Sequence, residues 1–191
     1  MSHRGAEHDR NGSVSDIASG DLGPWLSPED LALVRRKVPI LYIDALPVRV
    51  DGRGELEEVG LLLRGTEAGT ISRALVSGRV LFHETVREAL ERHLEKDLGP
   101  MALPRIPLSP LPFAVGEYFP TPGSPFYDPR QHAVSLAYVV PVVGDCRPSH
   151  DTLELTWLTP AEALTPEVLG DMSEGHASLL RQALAHVGRL R

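Results

Sequence analysis

Cysteine, positive charge and long apolar runs are all scarce in this sequence. Cys146 is the only cysteine among 191 residues, so no internal disulfide can form, and this predicts a chain that works in the reducing cytoplasm. Acidic residues outnumber lysine and arginine by 26 to 19, for a net charge of −7. This balance argues against nucleic acid as a partner, because binding to phosphate backbones requires a positive surface.

The longest apolar run, AVSLAYVVPVV at 133–143, is too short to span a bilayer and contains a proline. We therefore predict a buried strand there and no membrane partner. The first 23 residues contain no apolar run that could form a signal peptide. They are rich in glycine, serine and charge, so we expect a disordered tail over 1–23, followed by a single domain over 24–191.

Strand and helix patterns alternate along the predicted domain. ILYIDALPVRV at 40–50 and LEEVGLLLRG at 56–65 are rich in β-forming residues and flank the turn signal DGRGE, as in a β-hairpin. We expect the run at 133–143 to be a central strand and EGHASLLRQALAHVGRL at 174–190 to be an amphipathic helix. Strands with helices between and after them predict an α+β sandwich.

One segment, GRVLFHETVREALERHLEKDLG at 78–99, carries the residues of chemical interest. Thr85 and Glu88 form a capping box, so a helix is predicted to begin near Thr85 and to end at Leu98. Its apolar stripe consists of Val86, Ala89, Leu90, Leu94 and Leu98. His93 and Asp97, four residues apart, project into that stripe and interrupt it.

An inward-facing Asp97 must be paired or bound to a metal, because burying an uncompensated carboxylate is costly. One hypothesis is a local pair with His93, which lies one helical turn away. The other is a divalent-cation site, in which acids on the inner helix face and the phosphates of a substrate complete the coordination shell. The helix pattern alone leaves both hypotheses open.

The spacing over 78–99 resembles the Nudix box, G-x5-E-x7-R-E-U-x-E-E-x-G-U, in which U is an aliphatic residue. Five positions match it: Gly78, Glu84, Arg92, Leu94 and Gly99. Asp97 stands at the second acid of the adjacent acidic pair. Three positions depart from the pattern, since His93 replaces the first helix glutamate, Lys96 replaces the first acid of the pair and Pro100 replaces the closing aliphatic residue.

This resemblance covers roughly residues 38–190 and implies a Nudix-like α/β/α sandwich with a mixed central sheet. It also implies a hydrolase of nucleoside-diphosphate-linked substrates that uses Mg²⁺ or Mn²⁺ and has a degenerate box. The metal ligands that it implies are Asp97, Glu84 and Glu95. Arg92 is the implied site residue that pairs with Glu84 and braces the turn before the helix.

A branch of the family, the GDP-mannose mannosyl hydrolases, has a similarly altered box and releases sugar from a nucleotide sugar. Similarity to that branch implies that Arg64 contacts the diphosphate. It also implies that His150, on a late loop, is the general base, a role that suits an imidazole. Tyr118 is a candidate for stacking on a nucleobase. The alternatives are a solvated strand end for Arg64, an exposed turn for His150 and core packing for Tyr118.

Two functions therefore compete. The retention of Glu84, Arg92 and Asp97 at their spacing favours a hydrolase that binds a small nucleoside diphosphate derivative. The change of two box acids to His93 and Lys96 favours a Nudix-fold module that binds a nucleotide or sugar ligand without turnover. The family resemblance and the apolar N-terminal hairpin also predict a homodimer.

The composition of the first 23 residues generates a testable prediction. A chain that starts near Gly23 should melt within a few degrees of the full chain, because the tail has little apolar surface to bury. Thermal unfolding of the two forms checks this expectation. A large loss of stability would show that the tail packs on the domain or on a partner chain.

Overall fold

The computed structural model describes residues 25–65, 69–148 and 152–189. The expected tail at 1–23 and the candidate base His150 lie outside these ranges. The elements, in chain order, are α1 (Pro28–Arg35), β1 (Ile40–Val50), β2 (Leu56–Gly65), β3 (Ile71–Ala74), β4 (Val76–Arg79), α2 (Val86–Leu98), β5 (Ala114–Tyr118), β6 (Ala133–Pro141), β7 (Thr152–Leu158), α3 (Pro160–Ala163), α4 (Pro166–Gly170) and α5 (Glu174–Arg189).

The seven strands form one mixed sheet. β1 pairs in parallel with β6 over Ile40–Val48, and it pairs antiparallel with β2 only where Val48–Val50 meet Leu56–Val59. Beyond that point β1 pairs with β4 and β2 pairs with β3, so the segment 71–79 runs from β2 to β1 where those two strands have separated. β7 pairs with β2, and β5 pairs with β6. The predicted hairpin and the predicted mixed sheet are therefore both present.

The sheet is covered on both faces, as expected of an α/β/α sandwich. α2 packs on one face through Leu90, Leu94 and Leu98, which join a buried cluster with Ile43 and Leu62. α5 packs on the other face through Leu179 and Leu180. These two side chains form a second buried cluster with Leu46 and Val48 of β1 and Leu61 of β2. Alternation along β1 separates the two clusters, because successive side chains point to opposite faces.

The ends of α2 follow from the local sequence. Thr85 is the N-cap and forms the predicted capping box with Glu88. Gly99 ends the helix with φ +89°, and a Cβ there would lie 2.6 Å from the Arg147 carbonyl oxygen. Both the left-handed backbone and this close approach require glycine. The helix predicted from Thr85 to Leu98 is confirmed to within one residue.

A matched pair of leucine substitutions tests where the stability lies. Leu94 is fully buried at the centre of the α2 cluster, whereas Leu108 is 90% exposed. Leu94→Ala should lower the free energy of unfolding by about 2–5 kcal/mol, because it removes buried methyl groups and leaves a cavity. Leu108→Ala should change it by less than about 0.5 kcal/mol. Urea unfolding measures both, and similar losses in the two variants would contradict this core assignment.

Candidate functional site

The inner face of α2 carries the two polar residues that interrupt its apolar stripe. His93 is 8% exposed and Asp97 is 2% exposed. The His93 ring donates from Nε2 to the Arg79 carbonyl oxygen at 3.0 Å and lies against Gly78, where a Cβ would come within 1.8 Å of the ring. The hypothesis of a local His93–Asp97 hydrogen bond therefore does not describe this helix, because each residue has its own partner elsewhere.

Asp97 pairs with Arg64, which lies at the end of β2. The Arg64 Nη2 group donates to the Asp97 carboxylate, and the two side chains are 24% and 3% exposed. Burial raises the pKa of Asp97, and the charges of Arg64 and Lys96 lower it without cancelling the rise. Arg64 is therefore not a solvated strand end, because its charge compensates a buried carboxylate.

Glu84 pairs with Arg92, as the resemblance implied. The Arg92 Nε and Nη2 groups donate to the two Glu84 oxygens at 2.6 and 2.7 Å. The Leu81 amide donates to Glu84 as well, and Arg92 Nη2 also donates to the Arg79 carbonyl. The hydrogen bonds from Arg92 hold the pKa of Glu84 below its ordinary value despite partial burial. This pair ties the 79–84 turn to the middle of α2.

The third implied ligand, Glu95, lies on an exposed part of α2. It lines a groove with Trp25, Glu84, Glu91 and Arg92. Among the described residues no group of three or more histidine, cysteine or acidic side chains could hold a metal ion. Glu84 and Glu95 thus share this groove, whereas Asp97 is buried beside Arg64, and the three do not form one ligand set.

The donor chemistry at the helix, as arranged here, does not fit a divalent cation. Mg²⁺ and Mn²⁺ require several oxygen ligands with available lone pairs. Asp97 already binds Arg64, both Glu84 oxygens bind Arg92, and the Arg79 carbonyl accepts from two side chains. A cation at this position would compete with a guanidinium for each of the two carboxylates.

A cavity of about 830 Å³ opens on the other face of the sheet, between β1, β6 and the start of α5. Arg64 lies at one end of it, so this side chain connects the cavity with α2. The remaining lining residues are Tyr42, Asp44, Gly65, Ser77, Tyr118, Tyr127, Asp128, Pro129, Arg130, Gln131, Ala133, Ser135, Ser173 and His176.

The floor of the cavity is built around Asp44, which is 2% exposed. Ser135 Oγ donates to Asp44 Oδ2 at 2.6 Å, and Tyr118 Oη lies 3.4 Å from the same oxygen. His176 Nε2 lies 3.4 Å from Asp44 Oδ1, while its Nδ1 accepts from the Leu75 amide at 3.4 Å. With Ser77, which also forms a hydrogen bond to Asp44, four elements (β4, β5, β6 and α5) supply the partners of one carboxylate on β1.

Two pKa values at the floor are shifted in opposite directions. Burial raises the pKa of Asp44, but hydrogen bonding and charge from His176 and hydrogen bonds from Ser135 and Ser77 outweigh it, so the pKa is lowered. Burial and the charge of Asp44 raise the pKa of the Tyr118 hydroxyl. Asp44 is therefore a carboxylate and Tyr118 a neutral hydroxyl at neutral pH.

The rim of the cavity is fixed by Gln131, which is 2% exposed. Its side-chain amide donates to Tyr42 Oη at 2.9 Å and to Asp128 Oδ2 at 3.0 Å. Its carbonyl oxygen accepts from Arg35 Nε on α1 at 2.9 Å. The loop that follows β5 is thus anchored to β1 and α1, which gives the cavity a preformed wall.

The sequence-predicted residues fall into two groups. Arg64 and Tyr118 line the cavity, and Tyr118 also packs edge-on against Phe126 with ring centroids 5.1 Å apart. Asp97 and Arg92 lie at α2. Sequence reasoning missed Asp44 and His176, although each carries a signal.

Asp44 is the only charged residue in the apolar part of ILYIDALPV. His176 lies on the same helical stripe as Leu180 and Ala183. A polar residue at a core position of this kind requires a buried partner.

Comparison with protein families gives a match over residues 21–189 to a domain of unknown function, DUF4916. No curated protein sequence matches the chain. Nearly the whole length of the described chain therefore lies within one family.

Solved structures give the same fold. A structure from Jonesia denitrificans, described as a possible asymmetric diadenosine tetraphosphate (Ap4A) hydrolase, is 65% identical, with a TM-score of 0.77, over 81% of this chain and 98% of that one. The Nudix domain of Shewanella oneidensis NrtR, complexed with ADP ribose, is 18% identical, with a TM-score of 0.55, over 85% of this chain and 94% of that one.

A third similar structure is a bifunctional NMN adenylyltransferase/ADP ribose pyrophosphatase from Francisella tularensis, complexed with AMP and a manganese ion. It is 14% identical, with a TM-score of 0.56, over 84% of this chain and 47% of that one. At this identity the likeness shows the fold alone. The chain therefore belongs to the DUF4916 family, and its fold is that of the Nudix domains among the similar structures.

Proposed function

We propose that this protein is a Nudix-type hydrolase of a nucleoside-diphosphate-linked compound, which it binds in the cavity between β1, β6 and α5. The observation that carries the proposal is the guanidinium of Arg64, which lines a preformed polar cavity of about 830 Å³ together with Arg130 and is held by Asp97. That size suits a ligand of the nucleotide class. Two similar structures, in complexes with ADP ribose and with AMP, support the same ligand class.

In this proposal Arg64 binds the diphosphate. A guanidinium has five N–H donors in a planar fork that matches phosphate geometry, and only Nη2 donates to Asp97. The buried Asp97 holds the head group of Arg64 in place, which lowers the entropic cost of ordering it when a ligand binds. Arg92 acts at a distance, because it holds the 79–84 turn through Glu84.

The opposite end of the ligand lies on the floor around Asp44. Ser135 and Tyr118 direct their protons toward Asp44, so their oxygen lone pairs remain to accept from ligand N–H or O–H groups. A floor of acceptors favours a sugar or base edge rich in donors. Tyr127, on the rim and 45% exposed, offers an aromatic face to a planar base.

A second candidate function is binding without turnover. It is favoured by the charge compensation at α2, where each box acid is held by an arginine. Hydrolysis needs a group that activates water. Asp44, with its lowered pKa, is a weak base, and the candidate His150 lies outside the described residues. A divalent cation at Asp97, the other predicted source of activation, requires Arg64 to leave the carboxylate.

A ligand panel separates these functions. The protein is incubated with ADP-ribose, a UDP-sugar and Ap4A in the presence of Mg²⁺ or Mn²⁺, and products are resolved by chromatography while binding is followed by calorimetry. Release of a nucleotide or of free sugar supports the hydrolase. Binding without product supports the binding module. Neither binding nor turnover with any of the three would contradict the proposed ligand class.

The chain is also proposed to be a cytoplasmic homodimer. Within the described residues no helix is long and apolar enough to cross a membrane. Sedimentation analysis of the purified protein tests the dimer, and a monomer at micromolar concentration would contradict it.

The lowered pKa of Asp44 generates a pH prediction. A carboxyl group whose pKa is lower in the folded state stabilises the fold above its ordinary pKa, and that contribution is lost as the pH falls through the folded value. Asp44→Asn removes the charge and keeps the volume. It should therefore cost about 1–3 kcal/mol of unfolding free energy at pH 7, and the difference from the wild type should shrink as the pH falls below about 4.

Urea unfolding of both forms at pH 7 and pH 3 measures this change. Asp145→Asn is the matched control, since the Asp145 side chain is 64% exposed and forms an ion pair with the exposed surface residue Arg147. The control should change stability by less than about 0.5 kcal/mol at either pH. A cost for Asp44→Asn that is equal at the two pH values would contradict the assignment of a charged buried Asp44.

A further inference from the structure

We propose that the Arg64 guanidinium replaces the divalent cation at the α2 site, so that this chain binds its diphosphate ligand without a metal ion. The inference rests on the proposed ligand class and departs from the metal dependence that the resemblance implies. It is argued from the compensation of charge around Asp97, from the oxygens near the helix and from the position of Arg64 between helix and cavity.

The first step concerns the available oxygens. The oxygens of Asp97, of Glu84 and of the Arg79 carbonyl, all near α2, already accept hydrogen bonds from side chains. Arg64 donates to the first, Arg92 donates to both oxygens of the second, and His93 and Arg92 both donate to the third. Because a hard cation binds through oxygen lone pairs, each of these donors competes with it for a ligand.

The second step concerns charge. Asp97 is the only acid on the buried face of α2, and the positive charges of Arg64 and Lys96 both act on it. Arg64 already compensates this carboxylate. A divalent cation at Asp97 would therefore lie beside a guanidinium that repels it, whereas a diphosphate would be attracted by that guanidinium.

The third step concerns geometry. Arg64 both binds Asp97 and lines the cavity, so its head group lies where helix and cavity meet. Asp97 takes a hydrogen bond from Nη2, and the guanidinium has further N–H groups in the same planar fork. The side chain is 24% exposed and lines the cavity, so a diphosphate there can approach the guanidinium while Asp97 fixes its orientation.

The metal half of the inference is tested with Mn²⁺ alone. Manganese is titrated into the full-length protein, without nucleotide, and free Mn²⁺ is followed by electron paramagnetic resonance. The expected result is no site tighter than about 1 mM in the wild type. The triple variant Arg64→Ala/His93→Glu/Lys96→Glu should gain a site at least about tenfold tighter, because it frees Asp97 and adds two carboxylates. A stoichiometric wild-type site that is lost in Asp97→Asn would overturn the inference.

The arginine half is tested with ADP-ribose as the probe. Calorimetry in EDTA and in Mg²⁺ should give Kd values within about threefold of each other. Arg64→Ala should weaken binding by about 10- to 100-fold in both buffers, as expected for a lost charge-assisted contact. Arg147→Ala, an exposed arginine outside the cavity, should leave the Kd unchanged. Binding that requires Mg²⁺, or that survives Arg64→Ala, would overturn the proposal.

Two further measurements keep the outcomes distinct. Arg64→Ala leaves a buried carboxylate unpaired and could unfold the chain, so Arg64→Ala/Asp97→Asn is assayed beside it, since the double variant removes both charges. The double variant should fold, by its melting temperature, and should still bind ADP-ribose weakly. If ADP-ribose binds the wild type in neither buffer, this compound is not a ligand and the proposed role of Arg64 in binding it is wrong. The manganese titration, which uses no nucleotide, still decides whether the α2 site binds a metal ion.

Discussion

The compensation of two buried carboxylates, Asp97 on α2 and Asp44 on β1, is the constraint on which this structure depends. They lie on opposite faces of one sheet, at 2% exposure each, and an isolated charge at either place would cost several kcal/mol. Asp97 is matched by Arg64, and Asp44 by His176 with a hydroxyl group from Ser135. Each partner comes from a distant part of the chain, so the polar groups bring together elements that the apolar core alone would position less specifically.

The separation of β1 from β2 allows both arrangements. Beyond Val48 and Val59 the two strands take different partners. β1 pairs with β4, while Arg64 on β2 lies between Ser72 of β3 and Thr152 of β7. The segment 71–79 thus lies between β1 and β2, and Arg64 near the end of β2 reaches both α2 and the cavity. The cavity, the ion pair and the position of the candidate phosphate-binding group are therefore three consequences of one topological feature.

Periodicity predicted the parts of this architecture that are local. The α2 boundaries, the inward direction of His93 and Asp97, the β1–β2 hairpin and the mixed sandwich are all present in the structure. The partner of Asp97 could not be predicted in this way, because Arg64 is 33 residues away on a strand. The floor around Asp44 depends on which strands become neighbours, and no short-range pattern specifies that β6 lies beside β1. A polar residue at a core position thus indicates that it needs a buried partner, but the local sequence does not say which residue that partner is.

Compared with the Nudix box that it resembles, the 78–99 segment matches at positions that shape the backbone and differs at two positions that are acidic in the pattern. Gly78 admits the His93 ring, Gly99 admits the Arg147 carbonyl, and the pair of Glu84 with Arg92 ties the turn to the helix. These positions serve the backbone whatever chemistry the site performs. The changed positions, 93 and 96, affect charge instead of backbone shape. Acids at these two positions would add negative charge that only a cation could balance. With His93 and Lys96 at these positions, Arg64 compensates Asp97 and Arg92 compensates Glu84, so each acid that matches the pattern has an arginine as its partner.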